Sequence, residues 1–119
     1  MTVQQLQKLC RELDIRLVDY NSENGQKIIK ILKAEELAKH TGGFACVLPD
    51  AKLAMFDSNL SGCEKVFTIV HEIGHLAMGH LTCRSMTPEQ METEANIFSS
   101  VFMAMEAYKL LDKCSASNN

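Results

Sequence analysis

The sequence predicts an α+β domain in which a small antiparallel sheet packs on a histidine-bearing helix and on the helix that follows it. Two observations support this fold class. Short apolar segments flank turn-rich stretches in the first half of the chain, and two marked helix starts lie in the second half. The 119 residues suffice for one modest core, and the content of 46% apolar and 23% charged residues is typical of a globular protein.

The first 32 residues predict one helix and one β-hairpin. Apolar side chains recur at helical spacing in TVQQLQKLCREL, where Thr2 is a suitable N-cap. The segments IRLVDY and KIIKIL flank the turn-rich NSENGQ, which is the pattern of two strands joined by a turn.

A short helix and a second pair of strands are predicted next. AEELAKH indicates a short helix that ends at the two glycines after it. FACVLP and KLAMFD are strand-like segments on either side of the turn-forming pair Pro49-Asp50.

The first marked helix start lies at Ser61, which precedes Glu64 at the spacing of a capping box. A helix therefore begins near Gly62, and Gly79 is suited to end it. Its apolar stripe consists of Val66, Val70, Ile73 and Ala77.

The second helix start is the segment TPEQ, with Thr87 as N-cap, Pro88 at the first helical position and Gln90 at the third. This helix is predicted to continue to about Leu111. Its apolar stripe consists of Met91, Ala95, Phe98, Phe102 and Met105.

Composition and charge exclude several classes of function. The formal net charge is −3 and no basic cluster occurs, which argues against a nucleic-acid-binding surface. The N-terminal MTVQQLQKLC lacks the layout of a secretory signal, and no apolar stretch approaches the ~20 residues of a membrane helix. Five cysteines without a CxxC pair suit a reducing compartment, so we expect a cytoplasmic protein.

The segment HEIGH, residues 71–75, is the clearest chemical signal in the chain. His71 and His75 are four residues apart on a predicted helix, so both imidazoles project from one face and can converge on one zinc ion. Glu72 is rotated about 100° from His71 and can stand beside the metal, where it can accept a proton from water. Together they form the HExxH signature of zinc hydrolases.

The third ligand should be a carboxylate on the next helix, either Glu92 or Glu94. Glu92 shares a polar face with Asn96 and Ser99. Asn96 is placed to hydrogen-bond the ring nitrogen of a ligand histidine that does not bind the metal. Glu94 projects into the apolar arc, which is also compatible with a ligand because a ligand must be desolvated. The polar-face pattern favours Glu92 and leaves Glu94 open.

His80 does not extend the HExxH signature. The longer pattern HExxHxxGxxH would need Gly at position 78 and His at position 81, where the chain has Met78 and Leu81. His80 is therefore interpreted as a structural or helix-end histidine.

FTIVHEIGHLAMGH followed by ETEANIF closely resembles the ImmA/IrrE family of metallopeptidases, which belongs to the gluzincin zinc proteases. In that family an HExxH helix precedes a helix that opens with E-x-x-A-N-x-F. The resemblance spans about residues 43–105 and implies a minimal zincin-like domain. It also implies that Glu92 is the third zinc ligand and that Asn96 is the family's asparagine. The chain departs from the family in SSVFMAMEA, where relatives commonly have Leu-Leu-Met-Pro.

These features predict a zinc-dependent endopeptidase with His71, His75 and Glu92 as metal ligands and Glu72 as the catalytic base. The resemblance implies that its partner and substrate is a helix-turn-helix transcriptional repressor, whose cleavage derepresses genes of phages or mobile elements. No direct contact with nucleic acid or membrane is expected.

Two alternatives belong to other classes of protein. One is a metal-binding antirepressor that does not cleave its partner. The other is a structural zinc site completed by Cys83 or His80. In each case residues 1–114 are predicted to form a single domain, and residues 115–119 a frayed C-terminal tail.

Overall fold

The computed structural model describes residues 2–82 and 85–117, with side chains as far as residue 109. Within these residues the chain forms five α-helices and one three-stranded sheet, which confirms the α+β class. The elements in chain order are α1 (Val3–Glu12), β1 (Ile15–Asp19), α2 (Glu23–Ile31), α3 (Glu35–His40), β2 (Gly43–Leu48), β3 (Ala51–Phe56), α4 (Gly62–Ala77), a 3-10 turn (His80–Thr82) and α5 (Pro88–Ser117).

The predicted first hairpin is wrong, because KIIKIL lies in helix α2. Ser22 caps this helix by accepting a hydrogen bond from the Gly25 amide. Ile29 is buried whereas Ile31 is 79% exposed. Side chains two residues apart share one face of a strand, but on a helix they point in directions about 200° apart. The position of the segment after the turn-rich NSENGQ suggested a strand, whereas burial of Ile29 without Ile31 is the pattern of a helix.

The sheet is mixed, so the prediction of an antiparallel sheet is only partly right. Its strand order is β1-β3-β2. β2 and β3 form the predicted hairpin around Pro49-Asp50 and pair antiparallel, with Leu48 opposite Ala51. β1 pairs parallel to β3, with Ile15 opposite Lys52. The parallel pair follows because β1 leads into helices α2 and α3 and not directly into a neighbouring strand.

The main core lies between the sheet, α1 and α4. Helix α4 buries Ile69, Val70 and Ile73 against both strands of the hairpin and against α5. The predicted stripes are correct except at their C-terminal ends. Ala77 is exposed, and Met105 is 57% exposed because the second half of α5 extends beyond the core.

The ends of α4 and the start of α5 set the direction of the chain around the predicted site. Gly79 has φ +68, a conformation that glycine adopts readily, and it ends α4 as predicted. Thr87 and Gln90 form the predicted capping box, with reciprocal hydrogen bonds of 2.9 and 3.1 Å. Ser61 is the N-cap of α4, but its side chain makes no capping hydrogen bond.

Helix α5 is longer than predicted, since it continues past Leu111 to Ser117. Residues 115–117 of the predicted tail therefore lie in this helix, and residues 118–119 lie outside the described part of the chain. None of the helices in the described residues combines the length and the apolar character that crossing a membrane requires.

We predict that Thr87→Ala lowers the free energy of unfolding by about 1 kcal/mol, because the Gln90 amide loses its capping acceptor. The matched control is Ser61→Ala, which should cost clearly less, since the Ser61 hydroxyl makes no capping bond. Urea denaturation of the metal-free protein measures both values. Equal losses in the two variants would contradict the assigned caps.

Candidate metal centre

Helix α4 presents His71 and His75 on one face, one turn apart. Their Nε2 atoms are 3.1 Å apart, and their rings meet edge to face with centroids separated by 4.7 Å. Both side chains are mostly buried, with 14% and 12% exposed. The spacing of four residues therefore brings the imidazoles together as the sequence predicted.

Glu92, in the first turns of α5, faces both imidazoles. Its Oε2 lies 3.1 Å from the Nε2 of His71, and its Oε1 lies 2.9 Å from the Nε2 of His75. The carboxylate is 59% exposed, so it reaches the imidazoles from the solvent side. The three predicted ligands meet at one point, although they come from two helices.

The geometry of these three groups fits a tetrahedral metal ion. Separations of 2.9–3.1 Å between their donor atoms are close to the ~3.3 Å edge of a tetrahedron with Zn–N bonds of ~2.0–2.1 Å. Metal binding needs neutral histidines. The pKa of His75 is lowered, mainly by burial, and this favours the neutral form. Among its neighbours, Glu92 acts to raise this pKa and His71 acts to lower it.

Glu72 lies beside this group and is only 7% exposed. Burial, together with the nearby charge of Glu92, raises the pKa of its carboxyl to about 8. One ligand atom each from His71, Glu72 and His75 lie within 4.8 Å of one another, so these three residues form a group that could hold a metal ion. Glu92 contacts both Nε2 atoms directly, and it is therefore better placed than Glu72 to act as the carboxylate ligand.

The group opens into a cleft of about 690 Å³. One wall is β2, which pairs only with β3 among the described residues and therefore has a free edge. The walls are largely apolar apart from the candidate metal ligands, His80 and Glu72. The lining residues are Leu37, Thr41, Gly43, Phe44, Ala45, His71, Glu72, His75, His80, Leu81, Pro88, Met91 and Glu92.

His80 and Glu94 do not join the ligands, although both lie close to them. His80 is 3% exposed, and its Nδ1 lies 2.9 Å from the Nδ1 of His75, on the side of that ring away from Glu92. Its Nε2 lies 2.9 Å from Glu94 Oε1. His80 is thus a buried structural histidine, as the sequence predicted, and Glu94 binds it. Cys83, the other proposed fourth ligand, lies outside the described residues.

Asn96 is not brought into the predicted supporting position. Its side chain is exposed, and it makes no hydrogen bond to either imidazole within the described part of the chain. The Nδ1 atom of His71 is buried and has no hydrogen-bond partner in the structure. Sequence reasoning missed that His80 contacts the ring of His75. The available signal was Gly79, which ends α4 and turns the next residue back toward it.

Comparison with protein-family models matches residues 24–111, which are 88 of the 119 residues, to the peptidase family described as the IrrE N-terminal-like domain. The matched range begins in α2, ends in α5 and includes every candidate residue of the metal centre. A search of curated proteins and a search of solved structures returned no match.

We predict that Glu72 makes the metal-free protein less stable as the pH rises. The carboxyl has a pKa of about 8 in the folded protein, compared with the ordinary value of 4.5 that applies to the unfolded chain. The folded state therefore holds the proton more tightly. Stability is therefore unaffected by Glu72 below pH 4.5 and falls between pH 4.5 and about 8, with a slope of at most ~1.4 kcal/mol per pH unit.

Glu72→Gln isolates this effect, because the amide does not titrate. Urea denaturation across this pH range should show that the variant gains stability relative to the native chain as the pH increases. A constant difference between the two proteins would contradict the raised pKa.

Proposed function

The chain belongs to the IrrE N-terminal-like family of peptidases, and on this basis we propose that it is a zinc-dependent endopeptidase. The observation that carries the proposal is the convergence of His71, His75 and Glu92 at an open cleft, with the buried carboxyl of Glu72 beside them. Two imidazoles and one carboxylate leave a tetrahedral ion one free position, which is typical of catalytic zinc sites.

The roles of the residues follow from their positions. His71, His75 and Glu92 would hold the ion. A zinc ion held there would polarise the scissile carbonyl and lower the pKa of water. Glu72 accepts a proton from the attacking water and passes it to the leaving amine. Burial and the charge of Glu92 raise the pKa of this carboxyl in the metal-free protein. A bound cation would lower that pKa again and favour the ionised form that a general base needs.

The cleft supports a substrate bound in an extended conformation. The free edge of β2 lies along the cleft, and Gly43, Phe44 and Ala45 of this strand line it. A polypeptide segment that adds to such an edge is held by main-chain hydrogen bonds, and adjacent pockets select its side chains. Leu37 and Met91 on the other walls favour an apolar side chain near the scissile bond.

We also propose that the substrate is a helix-turn-helix transcriptional repressor, and that cleavage derepresses genes of a phage or mobile element. This part of the proposal is supported by the resemblance of FTIVHEIGHLAMGH and ETEANIF to the ImmA/IrrE family. A repressor as substrate would require the enzyme to act in the cytoplasm.

The metal content tests the first part of the proposal. We expect about one zinc per chain after reconstitution and dialysis, measured by elemental analysis. Glu92→Gln should weaken binding by more than the ~10–100-fold cost of losing a group that only hydrogen-bonds a ligand. Glu89→Gln is the matched control, since it removes the same charge from an exposed position on the same helix. Far less than one zinc in the native chain would overturn the proposal.

Glu72→Gln tests whether the protein is an enzyme. It should keep its zinc and lower the rate of repressor cleavage by ~10²–10⁴-fold, because it removes the general base. The substrate would be a helix-turn-helix protein encoded beside this gene, with fragments identified by mass spectrometry. Binding of that repressor without cleavage, together with equal derepression by Glu72→Gln, would instead establish a non-cleaving antirepressor.

A further inference from the structure

His80 and Glu94 form a hydrogen-bonded pair that the proposed reaction does not require, with His80 buried and the side chain of Glu94 43% exposed. His80 lies in the 3-10 turn after α4, with its Nδ1 2.9 Å from the Nδ1 of His75 and its Nε2 2.9 Å from Glu94 Oε1. It is 3% exposed, so water does not compete freely for these contacts. A buried histidine with both ring nitrogens engaged has a determined arrangement of protons.

The order of partners fixes the direction of each hydrogen bond. An ionised carboxylate only accepts, so the Nε2 of His80 must carry the proton that is donated to Glu94. The Nδ1 of a neutral His80 is then an acceptor, and His75 must donate to it from its own Nδ1. The Nε2 of His75 is then left with a lone pair directed toward His71 and Glu92, which is the arrangement that a metal ion between these groups would require.

We propose that Glu94 and His80 are positioning residues that hold His75 in the Nδ1–H tautomer, with its Nε2 lone pair aimed at the metal position. The proposal rests on the proposed zinc site, because Glu92 Oε1 lies 2.9 Å from the Nε2 of His75 and favours a proton there when no cation lies between them. A ligand histidine commonly donates its second N–H to a carboxylate or a carbonyl. Here the carboxylate acts through an intervening histidine.

The fold explains why an intervening histidine is needed. Glu92 and Glu94 are two residues apart on α5, so their side chains diverge by about 200°. Glu92 reaches the Nε2 side of His75, whereas Glu94 points away from that side and meets His80. The turn at Gly79 brings His80 between Glu94 and the Nδ1 side of the ring. His75 is thus held at both ring nitrogens, while the Nδ1 of His71 has no partner in the structure.

Nitrogen-15 NMR of the histidine rings in the zinc-loaded protein tests the arrangement directly. We expect a protonated Nδ1 on His75, an unprotonated Nδ1 on His80 and a protonated Nε2 on His80. Glu94→Gln should mix the tautomers of His80, because an amide can donate as well as accept. Glu89→Gln, exposed on the same helix, should leave them unchanged. A protonated Nδ1 on His80 in the native zinc-loaded chain would overturn the proposal.

Zinc affinity, measured by competition with a chromophoric chelator, tests the consequence. His80→Phe keeps a buried ring but removes the acceptor, and it should lower the affinity by ~10–100-fold. His80→Asn, whose carbonyl oxygen can replace the ring Nδ1 as acceptor, should recover most of that loss. Far-UV circular dichroism establishes that each variant is folded.

The outcomes separate this proposal from the proposed function. If the native chain binds no zinc, the proposed function fails, and NMR of the metal-free protein still shows whether the Nε2 of His80 donates to Glu94. If the native chain and His80→Phe bind zinc equally well, the zinc site stands and the positioning role is wrong.

Discussion

The packing of α5 across α4 is the constraint on which the candidate site depends. The two helices approach closely at Gly74 of α4, where an added Cβ would lie 3.0 Å from a ring carbon of Phe98 on α5. Ala95 and Ser99 on α5 are completely buried, and the Ser99 hydroxyl is satisfied by the Ala95 carbonyl. This contact holds the first turns of α5 over the imidazoles, which is why Glu92 reaches both of them.

The site concentrates ionisable groups where water is scarce, which costs folding free energy unless the groups are paired. Much of this cost is offset by contacts between α4, the 3-10 turn and α5, which link Glu94, His80, His75 and Glu92. Two groups remain poorly compensated. The carboxyl of Glu72 has a raised pKa, and the Nδ1 of His71 has no partner in the structure. Ionisable groups in a cleft that lack full hydrogen-bonding or charge partners are typical of catalytic sites.

The errors of the sequence-based prediction have physical causes. The segment KIIKIL was predicted as a strand because it follows the turn-rich NSENGQ, yet Ser22 caps it as a helix and one of its faces packs on the sheet. That difference changed the sheet from antiparallel to mixed, because β1 no longer had an adjacent hairpin partner. Met105 was predicted in the core from its periodicity, which cannot show where the rest of the protein ends.

The sequence by itself determined the features that depend on one or two turns of chain. These are the starts of α4 and α5, the end of α4 at Gly79, and the placement of His71, Glu72 and His75 on one helix. Only the tertiary structure showed which groups Glu92 and Glu94 contact, since the polar-face pattern left Glu94 open and the directions of the two side chains differ by about 200°. It also brought His80, and not Asn96, to the ring of His75. Local signals report backbone conformation within a few residues, whereas contacts between elements depend on how the elements pack.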